Sequence, residues 1–145
     1  MSGTTTAVST TALFNGSVPV TVGAFSAAYF LGGYISDFRI VNGTALYTKN
    51  FVPTYVPLTN VNGTALLLSN NDSAITDSSY KTDIIPISST AGYPLVVTSN
   101  IKNSTGSFYF SGTSPQALKV SNVSTGDFLG SNFTVECWIY QLSNS

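Results

Sequence analysis

Histidine does not occur in this 145-residue chain. Its absence removes the commonest general base, the usual zinc ligand and the side chain that titrates near neutral pH. Serine-histidine and cysteine-histidine catalysis are therefore excluded. Charge is nearly as scarce: five Lys or Arg and six Asp or Glu make up 8% of the chain and leave a net charge of -1, where an ordinary soluble domain carries about 25%. The five bases, Arg39, Lys49, Lys81, Lys102 and Lys119, lie far apart in sequence. No run of them could track a phosphate backbone, and nucleic acid is not expected as a partner. The one cysteine, Cys137, allows no disulfide within the chain; flanked by strand-forming residues, it reads as a small buried hydrophobe. Long apolar runs are missing too. The longest, residues 22–35, spans fourteen positions with three glycines and a serine inside it, too short and too broken to cross a bilayer. No membrane is expected as a partner. The first 36 residues hold no charged side chain, so the basic start of a secretory signal peptide is lacking. An extracellular setting would then be reached by another route.

What the chain does contain is uncharged polarity. Ser, Thr and Asn number 21, 19 and 12; they hydrogen-bond to water yet cost little to cover with another protein surface, which points to packing among neighbours. The length suits one domain with a sizeable core. Residues 1–11, almost all Ser, Thr and Ala, lack the periodicity of a packed element and read as a flexible or partner-ordered arm. Beyond them the pattern is strands and turns. Candidate strands lie at 18–22, 33–41, 65–68, 84–87, 95–98, 107–110, 117–120 and 133–141. Asn-Gly pairs at Asn15, Asn42 and Asn62 supply the positive φ angles of tight turns, and no window sustains a 3.6-residue period. The expectation is an all-β fold, a jelly roll or β-sandwich. Pro53 and Pro57 sit in a strand-free stretch that forms the best internal boundary. The phrase VNGTAL occurs twice, at 41–46 and 61–66; two copies fall short of a solenoid and read as a reused turn-plus-strand phrase.

Three longer phrases carry a resemblance. GYISDFRIVNGTALYT at 33–48, followed by Asn50, Phe51 and Pro53, is similar to the closing strand and tail of the laminin-G-like, concanavalin A-like (lectin-glucanase) jelly rolls of viral tail-fibre and surface proteins; FYFSG at 108–112 resembles the opening strand of that fold and NFTVECWIY at 132–140 its next strand. Leu66 to Leu68 and the Asp77-Ser78-Ser79 that follows belong to the same likeness. The order is permuted, with the closing phrase first. Residues 12–57 read as closing strands and 58–145 as opening strands, the two parts forming one sandwich either within one chain or between chains. The family's middle is not recognisable. An incomplete sandwich exposes unpaired edges and a bare apolar face, which recruit other chains. A window cut from a longer tandem protein is a further reading.

The superfamily includes glucanases, which need two carboxylates alternating along one strand. Glu136 is the only glutamate, with Thr134, Trp138 and Tyr140 on its face, so no enzyme is expected. The same face, Glu136, Trp138 and Tyr140, sets an acid beside two aromatics and is a candidate for contact with a glycan. Its alternative is a buried face in which the only arginine, Arg39, pairs with Glu136 as a structural ion pair that specifies register. Asp37 and Arg39, two apart on one strand, are a competing pair. Tyr34, Ile35, Phe38 and Ile40 are the expected core and assembly positions of the closing strand. No cofactor is expected. Laminin-G-like domains sometimes hold calcium, but Asp37, Asp72, Asp77, Asp83 and Asp127 are spread singly and read as loop or turn residues. Seven Asn-x-Ser/Thr triplets, at Asn15, Asn42, Asn62, Asn71, Asn103, Asn122 and Asn132, likewise read as turn chemistry. The expected function is a non-enzymatic structural protein of a virion or another extracellular assembly, a fibre, decoration or capsid-surface component. It would associate with copies of itself or with a larger assembly by completing the sandwich. The alternative is an adhesion module of a tail fibre that binds host surface glycans.

Overall fold

The computed structural model describes residues 19–25, 29–69, 75–87, 92–103, 105–112, 115–124 and 132–142. The expected arm at 1–11, the Asn15 turn, Asn71, Asp72 and Asp127 lie outside them. Among the described residues every regular element is a strand: β1 (Pro19–Val22), β2 (Ala24–Phe25), β3 (Tyr29–Phe30), β4 (Gly32–Asn42), β5 (Thr64–Leu68), β6 (Ile84–Ile87), β7 (Leu95–Val97), β8 (Ser107–Ser111), β9 (Ala117–Ser124) and β10 (Phe133–Gln141). The chain is all-β. The eight expected strands are present, with ends that move by at most a residue, apart from β9, which runs on to Ser124. The two-residue β2–β3 hairpin has no counterpart in the pattern, being too short to alternate.

Two antiparallel sheets hold the longer strands, one in the order β1-β9-β6 and one in the order β10-β4-β8-β7 with β5 also on β4. β4 is the organiser. Along one side it pairs with β10 from Asn42↔Phe133 to Gly33↔Gln141; along the other it pairs with β8 over Gly32 to Ile35 and with β5 over Phe38 to Val41. β4 is thus joined to β10, β8 and β5. Gly33 lets β4 and β10 approach closely, because a Cβ there would stand 2.4 Å from the carbonyl oxygen of Tyr140. A side chain at 33 would push β10 off the sheet.

The sheets share one core. Ile35, Ile40, Leu66, Leu68, Phe108 and Phe110 come from the larger sheet and Val22, Leu118 and Val120 from the smaller, with Phe38 and Cys137 packed partly against them. Each such fully buried side chain is worth about 1.5–3 kcal/mol over exposure. The smaller sheet covers the larger unevenly. No residue of β10 is buried, and its inward row leaves Val135 48% and Ile139 60% exposed.

The strand-free segment around Pro53 and Pro57 does not stand apart as a spacer. It folds back over the outer face of β4, where Leu58 is buried and its amide meets Asp37. The two VNGTAL copies also differ. The second is turn then strand, whereas the first is strand end then loop, and the two meet where the Asn42 amide donates to the Gly63 carbonyl at 2.8 Å.

Candidate functional site

The outer face of β4 and β10 carries the polar chemistry. Arg39 and Glu136 are direct cross-strand partners, and cross-strand partners share a sheet face. Arg39 donates to Glu136 Oε1 from Nε at 2.8 Å and from Nη2 at 2.5 Å, and from Nη1 to the Thr59 carbonyl at 2.6 Å. The Tyr47 hydroxyl donates to Glu136 Oε2 at 2.6 Å. Both ionic side chains are nearly covered, 7% and 16% exposed. The Tyr47 hydroxyl is pushed up to about 12, first by burial and then by the neighbouring Glu136 carboxylate. A buried pair with further hydrogen bonds of this kind pins strand register.

Asp37 does not join it. The competing Asp37–Arg39 contact is not made, because a bulge intervenes: between the Glu136↔Arg39 and Trp138↔Ser36 pairs β4 carries one residue more than β10. Asp37 takes the strain, with φ of 53°, a left-handed conformation that Asp tolerates better than most residues. Its carboxylate is fully buried, Oδ1 accepts from the Leu58 amide at 3.4 Å and Oδ2 has no partner among the described residues. Burial raises its pKa, and the weak Leu58 bond only partly offsets that.

Over this floor the segment after β4 forms a cavity of about 320 Å³, whose lining includes Tyr47, Phe51, Pro53, Thr54, Glu136 and Trp138. Tyr47 and Phe51 stack with centroids 3.9 Å apart. Lys102 lies at the rim, its Nζ 4.7 Å from the Trp138 ring and 5.3 Å from the Tyr55 ring, close enough for cation-π attraction. Of the three glycan candidates, Glu136 is engaged inside the protein, Trp138 lines the cavity, and Tyr140 lies outside it, 54% exposed and edge-on to Tyr34 at 6.0 Å. Of the four β4 positions expected in the core, Ile35 and Ile40 are core, Phe38 is packed partly against it, and Tyr34 faces outward beside Tyr109.

Sequence reasoning missed the roof of the site. Tyr47, Phe51, Leu58 and Thr59 come from a segment without alternation, and nothing local shows that it folds back. The bulge did leave a signal: the inward residues Ile35, Phe38 and Ile40 are spaced by three and then two, where an unbroken strand keeps two throughout. The described aspartates form no ligand set, since no three His, Cys, Asp or Glu side chains gather among the described residues. Cys137 packs partly against the core, and burial, with the Glu136 charge adding, pushes its thiol up to about 11.

No protein-family model, no curated protein and no solved structure matches this chain.

Proposed function

We propose that this chain is a non-enzymatic structural protein of a virion or comparable extracellular assembly, a permuted jelly-roll-like sandwich that associates with copies of itself. The observation that carries this reading is the border strand β10. Sheet edges in soluble proteins are blunted, and the other borders among the described residues are. β1 has Pro19 and a register break, β6 contains Pro86, β7 is three residues long, and β5 is capped by the turn at Asp77. β10 has nine residues, no proline and one charged side chain, Glu136, already taken by Arg39. Its inward row is half bare. A scarcity of surface charge, together with the resemblance to viral tail-fibre and surface proteins, supports the virion setting. Light scattering on the full chain is expected to give an oligomer, and the double substitution Val135→Lys, Ile139→Lys a monomer with the same circular dichroism. A monomeric wild type would sink the proposal.

A second reading, contact with a host glycan, is favoured by the cavity, whose lining includes Trp138 and the stacked Tyr47 and Phe51. Trp138 is the only tryptophan, so its emission reports on this site alone. Titration with a panel of neutral oligosaccharides should shift that emission saturably, with affinity lowered about tenfold in Phe51→Ala. A flat response across the panel removes this reading.

A further inference from the structure

We infer that β10 pairs antiparallel with β10 of a second copy, in the register centred on Cys137, so that the larger sheet runs on unbroken from one copy into the next. This rests on the self-association proposed above and specifies its partner strand. The inward row of β10 and its outward row fix the parity of any such pairing, because a slip of one residue would set inward side chains against outward ones. Three registers with the right parity keep most of the strand paired. Centred on Cys137, the ladder uses all nine residues and sets Val135, 48% exposed, opposite Ile139 of the second copy, 60% exposed, and the converse by symmetry. The two exposed apolar residues of the inward row then cover one another.

The outward row agrees. The same register places Glu136 opposite Trp138 of the second copy, whose ring already carries a Lys102 ammonium at 4.7 Å. Neither contact sets an unpaired charge in the seam, since Glu136 is already held by Arg39. A register centred on Glu136 would set Val135 opposite Cys137 and Ile139 opposite Phe133, and would shorten the ladder. One centred on Trp138 would set Val135 opposite Gln141 and shorten the ladder. A two-fold pairing of identical strands is also the closed, isologous kind of contact.

Cys137 provides the test, being the only cysteine. Opposed residues of an antiparallel pair have Cα atoms about 4.5–5.5 Å apart, inside the range a disulfide spans. Treating the full chain with a copper-phenanthroline oxidant, which removes two electrons and two protons from two thiols, should give a disulfide-linked dimer on a non-reducing gel. In a Cys137→Ser background, Val135→Cys and Ile139→Cys should each fail to cross-link alone, and their mixture should cross-link. Light scattering on the same samples separates the two failures. An oligomer with no Cys137 dimer and no mixed cross-link overturns the register but leaves self-association standing, and so does self-cross-linking of Val135→Cys. A monomer overturns both.

Discussion

Two buried aspartates stand in opposite circumstances. Asp77, in the turn that caps β5, accepts at Oδ1 from the amides of Leu67 and Ser79, and at Oδ2 from the amides of Lys81 and Thr82 and the hydroxyls of Ser79 and Thr82. Burial pushes its carboxyl up, but these donors outweigh burial and hold it below its ordinary value. Asp37, in the bulge of β4, has one long bond and a strained backbone, and burial wins. Covering a carboxylate stabilises a fold only when donors replace the water it loses. The first aspartate ties a turn to a strand, while the second is a cost carried at the centre of the candidate site, the kind of place where strain collects.

The largest effect expected from this contrast is at the satisfied residue. Asp77→Ala leaves several buried donors without an acceptor and should cost about 3 kcal/mol, read as a fall in melting temperature of roughly 10 °C. A near-neutral result would place the turn outside the cooperative fold. Next comes the carboxylate shared between strands. Glu136→Gln leaves the Arg39 charge uncompensated and should cost about 2 kcal/mol in denaturant titration, while Arg39→Ala with Glu136→Ala together should cost less than the sum of the two single changes. Strict additivity would dissolve the pair.

The smallest effect has the opposite sign. Asp37→Asn keeps the Leu58 acceptor and a residue tolerant of positive φ, removes a buried charge, and should stabilise by about 1 kcal/mol at neutral pH. The pH dependences also oppose each other. Asp37 has a folded pKa raised above 3.8, so its stabilising contribution is full below that value and is lost as pH rises through the folded pKa; the gain from Asn should vanish in acid. Asp77 has a folded pKa below 3.8, so its contribution is full above that value and is lost as pH falls through the folded pKa. Parallel slopes for the two variants would break the comparison.

How much could be read in advance follows from the same contrast. The strands were legible because alternation is local: Phe133, Val135, Cys137 and Ile139 on one face and Glu136, Trp138 and Tyr140 on the other follow from period two alone. Arg39 and Glu136 could be named as candidates because each is the only residue of its type. The Asp77 turn carried weaker signals, an Asp-Ser-Ser run whose hydrogen bonds reach back ten residues to Leu67. The roof over the site carried none, since Tyr47 finds Glu136 across 89 positions of sequence.

Sequence alone determined an all-β chain with little charge, no histidine and strands where side chains alternate, since these depend on residue type and on the two-residue repeat of an extended backbone. Which strands lie side by side was decided only in three dimensions. So was the partner of Arg39: a single extra residue in β4 turned Asp37 away from Arg39, toward Leu58, and left the guanidinium to Glu136. The same six letters, VNGTAL, end a strand in one place and begin one in another. A short segment's own preferences are worth less than the neighbours that bury it, and those neighbours are brought by parts of the chain far away in sequence.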